Sequence, residues 1–319
     1  MRNKYGPTPV SIFALFLILA GAAAVGAEEK DQRGSLWIDL YRGEPLSYGQ
    51  VIDDLAGVRV IYLGESHRLQ RHHDIQLQIF TDLAKRDVPL VLALEQLESY
   101  QQPILDKYNQ GKITYEQLVK ETKWEQRWGN YKQYRPLVEA ARKAGAPILA
   151  LNARSTTIRQ VARGGGVEKL DAKLRKELPA EIDLKDPLYL KLLHMYMRVH
   201  MAATAERLRP MIEAQIARDE AMAAALSSFL KSEQGRKRTA IVICGAGHAV
   251  YGLGTPQRVR RRMPEAKDRI ILFSESGDVV LTKEEKAQAR EITITHEQLR
   301  QLDRPVGDYL HATGLKPGK

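Results

Sequence analysis

Apolar and polar positions along the chain fall into two periods. Short apolar, β-branched runs at Val58 to Leu63, Pro89 to Leu94, Pro147 to Leu151 and Thr239 to Cys244 predict buried strands, with a fifth at Ile270 to Phe273. Ile75, Ile79 and Leu83 recur at helical spacing between the first two, and Leu137, Ala140 and Ala141 do so before the third. Strands and helices therefore alternate, which predicts an α/β fold: a mostly parallel sheet with crossover helices. The fifth run, continued by Gly277-Asp278 and Val279 to Leu281, reads as a hairpin at the sheet edge. Two stretches are too long for a single crossover. Residues 96–135 are helical and carry Tyr100, Tyr108, Tyr115, Trp124, Trp128, Tyr131 and Tyr134; residues 167–234 hold helices at Pro187 to Met201 and Pro210 to Leu230. They predict an inserted helical subdomain over one end of the sheet, within one domain spanning residues 28–319.

The first 27 residues obey neither period. Arg2 and Lys4 stand without an acid, Ser11 to Ala27 is uncharged, and Val25-Gly26-Ala27 supplies small residues before Glu28. This is the pattern of a cleaved signal peptide at residues 1–27, with an uncleaved N-terminal anchor as the alternative. Cleavage implies a soluble protein in an exported compartment, the periplasm in a Gram-negative bacterium. A 44% hydrophobic and 28% charged composition excludes a disordered or collagen-like chain. The formal charge of +10 favours anionic partners. The excess is diffuse, with no basic stretch interleaved with aromatics, so no nucleic-acid partner is expected. The one cysteine, Cys244, excludes an intramolecular disulfide, a four-cysteine zinc site and an iron–sulfur cluster held by this chain alone. At the end of an apolar run it is expected to be buried filler.

The strand exits carry the chemistry. The first run ends in Gly64-Glu65-Ser66-His67, the second in Glu95-Gln96, the third in Asn152-Ala153-Arg154 and the fourth in Gly245-Ala246-Gly247-His248. In an open α/β sheet these carboxyl-end loops line the ligand crevice, so residues far apart in sequence converge there. Gly64, Gly245 and Gly247 are expected to allow tight turns and close backbone approach. Two histidines with one or two carboxylates form an N/O donor set suited to zinc, manganese or iron, and such a metal can activate water for hydrolysis, the second carboxylate acting as base. A capping glutamate beside a packed histidine is the bland explanation of either loop alone. His72 and His73 can line the pocket rim or be hydrogen-bonded structural residues. In the run from Leu193 to Met201, histidine, methionine and tyrosine are chemically able to bind iron, although helical spacing also places the methionines in a core. Arg258, Arg260, Arg261 and Arg262 can bind carboxylates bidentately or form a solvated basic face.

Taken jointly, Gly64-Glu65-Ser66-His67 with His72-His73, Glu95, the stretch Trp124 through Trp128 and Tyr131, Asn152, the segment Gln215 to Ala223, and Gly245-Ala246-Gly247-His248 running on to Arg258 resemble the ChaN-like haem-binding proteins over about residues 50–275. The resemblance implies a parallel-sheet domain with a helical subdomain, haem held at a homodimer interface, and a role in bacterial haem and iron uptake alongside an outer-membrane haem receptor system. It implies His67, Glu95, Asn152, Arg218, His248 and Arg258 as cofactor-binding positions, with Arg218 turned inward to hold Glu65 or Glu95 ionised. Aromatic and His/Met/Tyr-rich insertions would then sandwich the macrocycle. Many ChaN-like members are lipoproteins, whereas no lipid-accepting cysteine stands at the cleavage point here. The iron ligand stays open, since both tyrosine and histidine suit ferric haem. The wider superfamily includes Tiki-type metalloproteases and is similar to erythromycin esterases. The alternative is accordingly a hydrolase dependent on a divalent metal, with Glu65, His67, Glu95 and His248 as catalytic and metal-binding residues. A third reading is an interaction module whose pocket residues only stabilise loops.

Overall fold

The computed structural model describes residues 35–200, 205–275 and 302–313. The signal peptide expected at residues 1–27 and the hairpin partner Val279 to Leu281 lie outside them. Eight strands form one sheet: β1 (Leu36–Asp39), β2 (Glu44–Leu46), β3 (Val60–Glu65), β4 (Leu90–Glu98), β5 (Ile148–Asn152), β6 (Thr239–Gly245), β7 (Asp268–Glu275) and β8 (Tyr309–Thr313). Their order is β2-β1-β8-β7-β3-β6-β4-β5. The six from β8 to β5 are mutually parallel, and β1 pairs antiparallel with both β8 and β2. The predicted mostly parallel α/β sheet is therefore present. The fifth apolar run is not at an edge: β7 pairs on one side with β3 and on the other with β8, so three short strands extend the sheet beyond it.

The helices are α1 (Tyr48–Leu55), α2 (Gln70–Lys85), α3 (Gln102–Asn109), α4 (Tyr115–Thr122), α5 (Trp124–Arg127), α6 (Arg135–Lys143), α7 (Ser155–Arg163), α8 (Ala172–Arg175), α9 (Pro187–His200), α10 (Ala205–Lys231) and α11 (Thr255–Arg262). Strand side chains alternate between two faces, and both faces are covered. Ile61, Leu63, Leu92, Leu94, Ile241 and Ile243 pack with α1, α2 and the helices between β4 and β5. Val60, Tyr62, Val91, Ala93, Val242 and Cys244 pack on the other side with α9, α10 and α11. The two helical stretches thus lie on opposite faces. Cys244 is buried filler, its thiol pushed up by burial. Met195, Tyr196 and Met197 pack against the second core.

One consequence of this layering positions the site. After β3 the chain enters α2 on the first face; after β6, the neighbouring strand, it enters α11 on the second. Neighbouring parallel strands whose exits diverge in this way leave a crevice at their carboxyl ends. Glu65 and Gly245 stand opposite each other in the ladder at its floor.

Candidate functional site

The β3 loop is pinned from α2. The Ser66 N–H donates to Nδ1 of His72 (2.9 Å), and His73 donates from Nε2 to the carbonyl of His67 (2.9 Å). Both histidines are buried, so of the two sequence readings it is the hydrogen-bonded one that the structure shows. Glu65, also buried, accepts from His67 Nδ1 (2.8 Å), Gln96 (3.1 Å) and the Tyr134 hydroxyl at one oxygen, and from Gln76 (2.6 Å) at the other. Burial alone would raise its carboxyl, but these donors and the neighbouring His73 hold it below the usual range. His67 keeps about one third of its side chain exposed (32%) and packs edge-on against Trp128 at 4.7 Å. Burial works against its charge, yet Glu65 and Glu95 raise its pKa.

Across the crevice, Glu95 accepts the Gly245 N–H (2.6 Å) and lies 3.4 Å from His248 Nε2. The other ring nitrogen of His248 is 2.8 Å from Asp219. Asp219 further accepts from Thr255 (2.7 Å) and from the Tyr189 hydroxyl. Burial disfavours the His248 cation, but two flanking carboxylates outweigh it and push the ring up to about 10. In return the imidazolium, with His67 and the Gly245 N–H, overcomes burial to hold Glu95 well below the carboxylate range. Asn152 donates to the Glu95 carbonyl (3.0 Å), tying β5 to the irregular end of β4.

The four residues Glu65, His67, Glu95 and His248 therefore share one crevice, but their polar atoms are spent on one another. Both nitrogens of His248 face carboxylates and both oxygens of Glu65 accept side-chain donors. Among the described residues no group of three or more His, Cys, Asp or Glu is arranged to hold a metal ion. In this arrangement the ring nitrogens of His248 and the oxygens of Glu65 are already engaged by neighbouring side chains.

Arg218 does not make its expected ion pair with Glu65 or Glu95. It is half-buried and has no hydrogen bond or ion pair among the described residues, because Asp219, about 100° further round α10, takes the inward direction. Arg258 is buried as well, over the Tyr189 ring and 3.3 Å from Glu220. Glu220 also receives Arg261 and Arg262, while Arg260 pairs with Asp268. The arginine run is neither a ligand clamp nor a solvated face; it locks α10 to α11. The aromatic stretch is mostly core too: Tyr108, Tyr115, Trp124 and Tyr134 are buried, so they do not sandwich a macrocycle. Trp128 and Tyr131 are half-buried, and Tyr100 is the most open of these rings. It is 42% exposed just beyond β4, its hydroxyl 2.7 Å from the Arg127 guanidinium and its ring under Arg154 at 3.9 Å.

The family model described as haem-binding uptake, Tiki superfamily, ChaN matches residues 51–259. A solved structure of cofacial haem binding to ChaN of Campylobacter jejuni is 20% identical, with a TM-score of 0.65 over 90% of this chain and 98% of that one, a likeness of fold. An erythromycin esterase mutant, EreC, in its open conformation is 12% identical over 76% of this chain and 78% of that one, with a TM-score of 0.44. The type III effector HopBA1 is 14% identical over 84% and 92%, also with a TM-score of 0.44. No curated protein matches the chain in sequence.

Proposed function

The chain belongs to the family of haem-binding uptake proteins of the Tiki superfamily, ChaN, and from that premise we propose that it binds haem at the carboxyl edge of the sheet and serves haem and iron uptake after export to the periplasm. The observation that carries the location is the exposed group at that edge. Tyr100 offers a phenol oxygen, Arg127 and Arg154, which pair with Glu98 and Glu177, bring two partly exposed guanidiniums to where propionates would lie, and Trp128 with His67 offers a flat apolar flank. These residues fit haem, which would supply ferric iron and a broad apolar face. Between the two candidate iron donors the geometry favours Tyr100, because a side chain added at Gly245 would lie only 2.7 Å from His67 Nε2, so that nitrogen faces the crevice floor. Glu65, Glu95, Asn152 and His248 act from beneath, holding the loops that carry the rim. The chain works as a homodimer and passes haem along a route that includes an outer-membrane receptor.

Titration of the full chain with hemin tests this reading. A saturable Soret band is expected, with its position changed in Tyr100→Phe and the affinity lowered in Arg154→Ala. A band that never saturates, or variants identical to wild type, overturns it. Sedimentation with and without hemin tests the dimer. The hydrolase reading has no observation that favours it: His248 is held between Glu95 and Asp219, and Glu65 by His67, Gln76, Gln96 and Tyr134.

A further inference from the structure

The buried aromatics of residues 96–135 are unused by the haem site, yet they are not scattered. Trp124 stacks on Tyr134 with ring centroids 5.9 Å apart and an interplanar angle of 25°, and Tyr115 lies 6.2 Å beyond Trp124. One end of this column touches the site: the Tyr134 hydroxyl donates to Glu65. The other end borders solvent: Tyr115 is buried but for a narrow edge (5% exposed) on an open groove of about 620 Å³ lined with Val119, Tyr131 and Arg135, and its hydroxyl donates to the Tyr131 carbonyl (2.9 Å). The three rings differ in where a proton can go. Tyr134 has an ionised carboxylate at its hydroxyl. The Trp124 indole N–H has no acceptor among the described residues.

We infer that Tyr134, Trp124 and Tyr115 form an electron-transfer path that carries oxidising equivalents from the carboxyl-edge crevice to the surface groove, protecting the site and its cargo. The path rests on the haem reading only for its natural oxidant, haem reacting with a peroxide. Tyr134 gives one electron to the oxidant and its phenolic proton to Glu65, leaving a neutral tyrosyl radical and a carboxylic acid. Trp124 refills Tyr134 with an electron while Glu65 returns the proton. Having no proton acceptor, Trp124 passes the vacancy on as a radical cation without losing its N–H. Tyr115 fills it in turn, its hydroxyl leaving the Tyr131 carbonyl to release the proton to water at the groove edge, and is restored by hydrogen-atom transfer from a thiol or enediol reductant. The net result is one electron moved from reductant to oxidant and one proton released to water, the reductant left as its radical.

The test needs no haem. Arg68 is exposed on the β3 loop at the crevice and Cys244 is buried, so Arg68→Cys gives the full chain one accessible thiol that places a ruthenium tris-bipyridyl photo-oxidant at the Tyr134 end of the path. After flash-quench in the presence of a nitroso spin trap, peptide mapping should find adducts on Tyr115. These should be lost in both Trp124→Phe and Tyr134→Phe, each of which keeps an aromatic ring in place, while adducts on exposed Tyr41 remain. No Tyr115 adduct in the labelled parent, or equal adduct in both variants, overturns the path. Hemin titration of the same proteins separates failure of this proposal from failure of haem binding.

Discussion

At the scale of single residues, two glycines and one histidine define the crevice. A Cβ at Gly245 would lie 2.7 Å from His67 Nε2, and one at Gly64 would lie 2.7 Å from Leu272, whereas Gly247 has nothing within 4 Å. The sequence expectation of close approach thus holds at Gly64 and Gly245 but not at Gly247. Gly245→Ala should displace His67 and cost about 1–3 kcal/mol of overpacking strain, while Gly247→Ala should be near neutral; denaturant melts of the two variants check this. His248 is the cation between two buried acids. Its folded pKa is raised to about 10 from 6.5, so its contribution to stability is complete below about pH 6.5 and is lost as pH rises through about 10. The depressed Glu95 contributes in the opposite sense, with stability present above the usual carboxylate range and lost as pH falls through its folded value. His248→Ala should cost about 3–5 kcal/mol, because it strands Glu95 and Asp219, and it should abolish the alkaline limb of a stability–pH curve. Glu65, His67, Glu95 and His248 were legible because strand-end motifs announce them. Asp219 carries a quieter signal. Ile212, Ile216, Asp219, Ala223, Leu226 and Leu230 form one buried stripe along α10, and a carboxylate at a core position of such a stripe requires a buried partner. The inward direction expected of Arg218 is taken by its neighbour Asp219.

Among the elements, the five parallel strands β3 to β7 were readable because burial on both faces makes continuous apolar runs. β1, β2 and β8 were not. Their sequences, LWID, EPL and YLHAT, are short and half polar, and they become strands through pairing across long sequence separations. Likewise, the arginine run of α11 reads as a basic patch only until Glu220 and Asp268, on other elements, are placed against it. The attachment of β8 contains a conditional weakness. His311 is fully buried against Trp37 of β1 (ring centroids 4.4 Å) and edge-on to Phe273 of β7, and neither ring nitrogen has a hydrogen-bond partner among the described residues. Burial, with a lesser contribution from the neighbouring His72 ring on α2, lowers its pKa to about 4 from 6.5. The native state therefore binds fewer protons than the unfolded one across that window, so stability rises with pH between about 4 and 6.5. A shift of this size corresponds to about 3 kcal/mol lost on acidification. Hydrogen exchange at pH 5 should show β8 and β1 opening before β3 or β6. His311→Phe should flatten the slope.

For the whole molecule, the order β3-β6-β4 has a temporal meaning. β3 ends at Glu65 and β4 at Glu98, but the strand that fills the slot between them begins only at Thr239. Synthesis thus delivers two halves of a crevice long before the strand that joins them, and the pairings that close the sheet span most of the chain. Such non-local closure is intrinsically slow, and it leaves strand edges unpaired in the interim. A chain ending at Arg238 should show no amide protection in β3 or β4 by hydrogen exchange, although the same segments are fully protected in the complete chain; protection in the fragment would show that the two strands fold without β6. Competence therefore comes late and all at once. A nascent or partly threaded chain cannot hold a ligand, so the centre is kept shut by the order in which its parts arrive, without any lid.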